Sequence, residues 1–260
     1  TLVWGETVGN SVLDVINHTE FRDFTIIDIE DARLNQWMLV WDVFADDSQW
    51  SSFINLYPEF NPVAVPGSPF HANTGYNIGD YKRGSQTLFE AGTQWRKSFE
   101  RSDIAFMAAY LYENQLRYDY PVAGYGDALA NKNDFVLLGF SANRAMGKLL
   151  LNIDLALSLG VLPNESFFPG VTVAGSGLDI EKDQIGVSLG FEYAISSDQS
   201  ISLGVQANKM LDEQEGLAQQ QILVNEGVVG SWLVRYRNAL SNGNLVVSST
   251  LQGDLDAYSL

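Results

Sequence analysis

The chain has 260 residues, no cysteine, and 32 Asp and Glu against 15 Lys and Arg, a formal net charge of −17. Without thiols there is no disulfide framework and no thiolate nucleophile or metal site, and the acidity argues against nucleic acid or an anionic membrane surface as partner. Apolar residues make up 46% of the chain, too many for a disordered acidic tail, and no stretch reaches the roughly 20 apolar residues of a membrane-spanning helix.

"TLVWGET" opens in what reads as the middle of a strand, with no basic and apolar leader before it, so a mature or partial product is expected. Residues 1–33 differ from the remainder. "VLDVINHTEFRDFTIIDIEDARL" mixes apolar residues with Asp14, Glu20, Asp23, Asp28, Glu30 and Asp31 at a spacing that fits neither a clean strand nor a long helix. We read it as a constriction, plug or lumenal hairpin. Asp28, Glu30 and Asp31 offer the hard oxygen ligands that Ca²⁺ takes, but the glycine and spacing of an EF-hand loop are missing. A solvated acidic hairpin, or a ladder to Arg22 and Arg33, is the preferred reading, with no metal or cofactor expected.

From Leu34 onward a period of two dominates. "LNQWMLVWDVFAD" sets Trp37, Leu39, Trp41 and Val43 against Gln36, Met38, Val40 and Asp42. "LFEAGTQWRKSF" sets Phe89, Ala91, Thr93 and Trp95 against Glu90, Gly92, Gln94 and Arg96. In "GKLLLNIDLALSLG" Leu149, Leu151, Ile153, Leu155, Leu157 and Leu159 alternate with Leu150, Asn152, Asp154, Ala156, Ser158 and Gly160. "DQIGVSLGFEYAIS" and "SISLGVQANK" place Ile185, Val187, Leu189, Phe191, Ile201, Leu203 and Val205 on one face and Gly, Ser, Gln, Asn and Glu192 on the other. "GSWLVRYRNA" sets Trp232, Val234 and Tyr236 against Leu233, Arg235 and Arg237. Successive side chains leave a strand on opposite sides, so this is a β protein. About ten strands are expected, joined by tight hairpins ("ISSDQSIS", and "ALSNGNLV" with its Asn242-Gly243 turn) and by long connections at 58–86, 117–133, 160–183 and 209–221. The 58–86 connection carries Pro58, Pro62, Pro66 and Pro69, which bars it from a central strand. No linker or repeat divides the chain, and one domain over 1–260 is expected.

Alternation alone suits a soluble sandwich as well as a membrane barrel. Three features favour the barrel. The runs match the roughly 9–11 residues of a tilted spanning strand better than the roughly 5–6 of a soluble one. The polar face is Gly, Ser, Ala, Asn and Gln with single charges, whereas a soluble exposed face carries more Lys and Glu. Trp37, Trp41, Trp50, Trp95, Tyr110, Tyr112, Tyr193, Trp232 and Tyr236 cluster near run ends, as interfacial girdles do. The fold expected is therefore an all-β, antiparallel transmembrane β-barrel. Lipid would meet Leu149, Leu151, Ile153, Leu155, Leu157, Ile185, Val187, Leu189, Phe191, Ile201, Leu203, Val205 and Val234. The lumen would be lined by Asp42, Glu90, Arg96, Lys148, Asn152, Asp154, Glu192, Arg235 and Arg237, where charges set ion selectivity; alternatively these groups only satisfy one another across strands at about 0.2–1 kcal/mol per pair. An arginine is expected to be tolerated at Asn152 and not at Ile153.

"VWGETVGNSVLDVINHTEFRDFTIIDIEDARLNQWML", residues 3–39, resembles a bacterial outer-membrane β-barrel family of unknown function. The residues that carry the resemblance are Trp4-Gly5-Glu6, Asp14-Val15-Ile16-Asn17, Arg22-Asp23-Phe24 and Glu30-Asp31-Ala32-Arg33-Leu34. The resemblance implies a porin-like barrel longer than this chain, encoded near genes for hydrophobic-compound handling and for exporters, with no catalytic residues to carry over. This chain departs from it in length and in lacking a terminal Phe after "DLDAYSL", so some strands are expected to be missing.

These readings converge on a non-enzymatic protein of the bacterial outer membrane: a channel or export partner for small, amphipathic or hydrophobic molecules. Its expected partners are membrane lipid, that cargo and a periplasmic or exporter protein, with no nucleic acid. His18 and His71, the only histidines, lie beside no aligned Ser, which argues against a Ser–His hydrolase. Two alternatives stand: a soluble, secreted, acidic β-protein that binds carbohydrate through Trp50, Tyr76, Tyr81 and Tyr125, and a non-conducting structural barrel.

Overall fold

The computed structural model describes residues 2–5, 7, 11–20, 22, 32–64, 67–68, 76–77, 82, 87–119, 126–127, 129–162, 181–211, 228–240 and 245–255. Its strands are β1 (Leu39–Ala45), β2 (Ser48–Asn55), β3 (Tyr76–Asn77), β4 (Glu90–Phe99), β5 (Ser102–Tyr112), β6 (Arg117–Asp119), β7 (Gly126–Asp127), β8 (Leu129–Asn131), β9 (Asp134–Met146), β10 (Leu149–Val161), β11 (Lys182–Ala194), β12 (Gln199–Met210), β13 (Val228–Leu240) and β14 (Leu245–Leu255). Ten of them form one antiparallel sheet in the order β1-β2-β4-β5-β9-β10-β11-β12-β13-β14. The short pairs β3–β7 and β6–β8 lie within the long connections.

Every long strand pairs with the next long strand, so the sheet is an up-and-down meander. Tight turns at 46–47, 100–101, 147–148 and 195–198 share one end of it. At the first and third of these the backbone takes positive φ, at Asp46 (+32°) and Gly147 (+64°), as hairpin turns that match strand twist require. The fifth turn, with Asn242-Gly243, lies outside the described residues. The four long connections, 56–89, 113–133, 162–181 and 211–227, share the other end.

Pairing register divides the sheet into two faces of opposite chemistry. One row runs Val43, Trp50, Trp95, Phe106, Phe140, Leu155, Val187. The neighbouring row on the other face runs Arg96, Ala105, Ser141, Asp154, Ser188, Gln206, Ser231, Asp254. The exposure of these faces is the reverse of a soluble protein's. Asp154 and Ser188 are wholly buried, and Asn152, Ser141, Ser202 and Glu90 nearly so. The thirteen aliphatic and aromatic positions expected to meet lipid are all exposed or half-exposed. Leu155, Ile185, Leu189, Phe191, Ile201 and Leu203 are among the most open.

The amino-terminal segment is what buries the polar face. Trp4, Val12, Leu13 and Ile16 form a core with Phe53, Ala105, Met107, Ala109, Leu111, Phe135, Leu137 and Ala156 from β2, β5, β9 and β10. Glycines on the sheet make room for these knobs. A β-carbon at Gly139 would lie 2.6 Å from Leu13 Cδ2 and 2.5 Å from Met107 Cγ, and one at Gly186 would lie 2.9 Å from Val12 Cγ1. The segment turns back as a small hairpin, with Thr19 bridged to Arg33. Glu20 N–H donates to the Ala32 carbonyl at 2.8 Å and Leu34 N–H to that of His18 at 2.9 Å.

The sheet does not close. β1 and β14 each have one neighbour, and β1 is exposed along its whole length. The all-β, antiparallel reading stands, and the closed barrel is not formed by these ten strands. Closure requires two edge strands in register with consistent shear, and here the edges stay apart.

If the glycine at the centre of β9 exists to admit Leu13, Gly139→Val should cost about 1–3 kcal/mol through overpacking. Adding Leu13→Ala should recover much of that loss. Denaturant titration of both variants, folded in detergent micelles, checks this; no recovery in the double variant would disprove the complementarity.

Candidate functional site

The centre of the covered face is a single carboxylate. Asp154, mid-strand on β10, accepts at Oδ2 from Thr7 N–H (3.0 Å), Thr7 Oγ1 (2.7 Å) and Ser11 Oγ (2.7 Å), and at Oδ1 from Ser141 Oγ (2.6 Å). One strand over, Ser188 Oγ accepts from Val12 N–H at 2.9 Å. A buried carboxylate is tolerable only when donors replace its lost hydration. Here those donors come from the amino-terminal segment and from the adjacent strand, so the same bonds that satisfy the charge fasten the segment to the sheet.

A second chain of polar contacts runs from the long-connection end. Glu90, buried on β4, accepts from Asn55 Nδ2 (3.0 Å) and from Tyr112 N–H (3.1 Å). Asn55 Nδ2 also donates to Gln36 Oε1 (2.7 Å), and Gln36 Nε2 donates to the Ile16 carbonyl (2.9 Å). Asn114, just past β5, donates to the carbonyls of Val15 (2.8 Å) and Asn17 (3.0 Å). Asn61 Oδ1 receives Thr19 N–H at 2.6 Å. Trp4 meets Phe53 edge-on at 5.6 Å between centroids.

Among the described residues of the segment, two ion pairs form locally. Arg33 Nε donates to Asp14 Oδ2 at 2.6 Å, and Arg22 pairs with Glu20. Arg33 therefore serves Asp14; Asp23, Asp28, Glu30 and Asp31, and with them the expected ladder, lie outside the described residues. Burial pushes the Asp14 carboxyl above its ordinary range, against the pull of Arg33. His18 is buried with Nε2 3.9 Å from Glu59 Oε2, and burial pushes its pKa below the usual value, with Glu59 and then Glu20 opposing. At the long-connection end burial raises the Glu113 pKa while Arg117 lowers it. Trp4, Asp14, Asn17 and Arg33, four of the residues in the amino-terminal motifs, thus act in seating the segment.

The nine expected lumen residues fall into three groups. Glu90, Asn152 and Asp154 are on the polar face and buried: Asp154 is bonded by Thr7, Ser11 and Ser141, Glu90 by Asn55 and the Tyr112 N–H, and the Asn152 amide has no hydrogen-bond partner among the described residues. Asn152 lies under Thr7, whose Cγ2 would stand 3.1 Å from a β-carbon at the neighbouring Gly190, so an arginine at Asn152 has no room. That corrects the expectation of tolerance there. Asp42, Arg96, Glu192, Arg235 and Arg237 share the polar face by register and remain partly or fully accessible. Lys148 is not on a strand face. It sits in the β9–β10 turn, where Nζ donates to the Ile195 carbonyl at 2.9 Å, because the hairpin needs Gly147 and Lys148 as its two turn residues. Thr7, Ser11, Ser141, Ser188, Asn55 and Asn114 escaped the sequence reading. Ser141 and Ser188 carry a faint signal, a small polar residue in register with Asp154; for Thr7 and Ser11 nothing local marks the contact.

Among the described residues no group of His, Asp and Glu is arranged to hold a metal ion. Comparison of the chain with protein-family models, with curated proteins and with solved structures finds no match. The geometry therefore defines a class only: an antiparallel sheet with an apolar exposed face and a polar face filled by its own amino-terminal segment.

Removing the hub should unseat the segment. Asp154→Ala leaves four donors without an acceptor at roughly 1–3 kcal/mol each, less than additively, for about 3–5 kcal/mol in all. Asp42→Ala, on an exposed edge strand, should stay within about 0.5 kcal/mol. Limited proteolysis of residues 2–20 alongside denaturant titration reads both.

His18 adds a pH dependence. Its folded pKa lies below the unfolded value of about 6.5, so the unfolded chain binds the extra proton first and stability falls as pH drops below about 6.5. Protease protection of the segment should weaken between about pH 7.5 and about pH 5.5, and His18→Gln should flatten that profile.

Proposed function

We propose that the chain is part of an outer-membrane β-barrel in the bacterial envelope, acting as a porin-like channel or export partner for small amphipathic or hydrophobic molecules. The observation that carries this reading is the inverted sheet: aliphatic and aromatic residues face outward while a carboxylate, amides and hydroxyls are buried. In water the outward face would be an apolar surface far larger than a monomer tolerates. Facing lipid it is the expected solution.

The dimensions agree. From Leu149 to Leu159 along β10 the outward face spans ten residue steps, which at roughly 3.3 Å each and a tilt of about 40° is a band roughly 25 Å tall. Aromatics rim it. Phe99, Tyr193 and Tyr236 stand at the tight-turn end and Phe89 and Tyr110 at the other. Phe89 and Tyr110 pack with rings tilted by 34° and centroids 5.4 Å apart. The alternation of tight turns and long connections is that of barrels with a periplasmic and an extracellular end. Partners on this reading are lipid, the cargo and a periplasmic or exporter protein. Trp50, one of the residues proposed for carbohydrate binding, stands in the outward aromatic row, while Tyr81 and Tyr125 lie outside the described residues. A second reading, a non-conducting structural barrel, is favoured by the filled centre of the polar face.

Partition and conductance separate these readings. The channel reading expects detergent-dependent solubility and discrete conductance in planar bilayers; detergent dependence without conductance selects the structural barrel, and free solubility removes both. Ile153→Arg should cost about 2–4 kcal/mol if the residue lies at bilayer mid-depth, whereas Gln252→Arg, on the open polar face of β14, should leave folding into vesicles unchanged. Equal damage from both substitutions would refute the assignment of faces.

A further inference from the structure

The chain has 15 Lys and Arg, and four of them gather at one rim of the sheet. The hairpin ends 96–104 and 142–151, which close β4–β5 and β9–β10, are neighbours in the sheet. Their outward and turn positions hold Lys97, Arg101, Arg144 and Lys148 against one carboxylate, Glu100. The inward charges there are Arg96 and Asp103, and Asp103 accepts from Asn143 Nδ2 at 3.2 Å. Arg101 and Arg144 are exposed and form no ion pair among the described residues. The two lie close together: the Arg101 carbonyl accepts from Ala145 N–H at 2.9 Å, and Arg144 stands opposite Ser102. Lys148 Nζ donates to the Ile195 carbonyl, and Lys97 Nζ lies 3.3 Å from Asp47 Oδ2 in the first tight turn.

We propose, resting on the outer-membrane reading above, that this rim binds the phosphate headgroup of an anionic phospholipid in the leaflet at the tight-turn end. Three observations carry it. First, Arg144 shares its rung with Phe99, Leu151, Phe191 and Leu203. Its Cα therefore lies at the edge of the apolar band, and its side chain snorkels along that band toward the headgroups. Second, apolar side chains continue beneath the cations. Phe106 and Leu138 are exposed on the outward face, and the Phe106 and Phe140 rings lie 5.1 Å apart between centroids. A free phosphate would use the guanidinium forks alone, whereas a phospholipid also covers the apolar wall with its acyl chains. Third, the opposite rim of the same strands has no such excess of cations at its outward positions. Lys132 and Asp134 stand two residues apart there among Phe89, Tyr110 and Tyr112, and Asp134 Oδ2 accepts from the Tyr110 hydroxyl at 2.8 Å. A net charge of −17 argues against an anionic surface as partner of the whole chain; at this rim the placement of the cations reverses the sign. Anionic headgroups attract such clusters within a Debye length.

The test offers the full chain, folded in detergent micelles, equal amounts of phosphatidylglycerol and phosphatidylcholine, and counts retained lipids by native mass spectrometry. Wild-type protein should retain phosphatidylglycerol over phosphatidylcholine by about threefold or more, and Arg101→Gln/Arg144→Gln should bring the ratio close to parity. Both side chains are exposed, so the double variant should fold into vesicles of phosphatidylcholine alone as the wild type does. Lys209→Gln, which removes an outward cation at the long-connection end, should leave the ratio unchanged. Excess inorganic phosphate should not displace the lipid, because it has no acyl chains to bury. Displacement by phosphate would reassign the rim to a free anion and overturn the proposal. So would a preference that survives the double variant or that falls equally with Lys209→Gln. Wild-type protein that inserts into vesicles but retains both lipids equally would remove the headgroup site and leave the membrane reading standing. Protein that is soluble without detergent and retains neither lipid would overturn the membrane reading itself.

Discussion

A carboxylate buried in the middle of a sheet face constrains everything near it. Asp154 has no water, so its oxygens must be met by protein donors. Thr7 and Ser11 meet it from a segment more than 140 residues away in sequence, and Ser141 meets it from the next strand. Once those bonds are in place, Val12 falls over Gly186 and Leu13 over Gly139. The apolar knobs then supply most of the burial, and the polar bonds decide where along the sheet the knobs sit. The two kinds of contact divide energy from register, the usual division in protein interiors.

Filling the polar face changes its composition locally. Where Trp4, Leu13 and Ile16 press on β5 and β9, the inward residues are Ala105, Met107, Ala109, Leu111, Phe135 and Leu137, which is the chemistry of a core. On β12–β14 the inward residues include the polar Gln206, Ser231, Thr250 and Asp254 beside buried Ser202 and Leu233. The outward face shows no such change. It stays mainly aliphatic and aromatic from β4 to β13, with Thr93 in mid-strand and Lys97, Arg144 and Lys209 toward the strand ends.

That contrast explains which parts of the fold were legible in the sequence. The alternation in β10, β11 and β12 is plain because both faces there keep one chemistry. It is blurred in "SDIAFMAAYLY" and "DFVLLGFSANRAM", since β5 and β9 are apolar on both sides and period two loses its contrast. Asp154 drew attention as a carboxylate in a leucine-rich run, yet the run itself could not say whether water or protein would meet it. Lys148 illustrates a smaller limit. It continues the polar register of β10 by counting, but the hairpin consumes it as a turn residue.

By itself the sequence determined the β class, the two-faced character of the long strands, and the alternation of tight and long connections. All of these follow from local rules: period two, turn residues and chain length. Only the tertiary structure decided that the polar face is filled from within, that Asp154, Glu90 and Asn152 are buried, and that Arg237 is exposed. It also decided that ten strands leave two open edges. Those outcomes depend on contacts between residues far apart in the chain, and no local pattern encodes which of two polar positions a distant segment will cover.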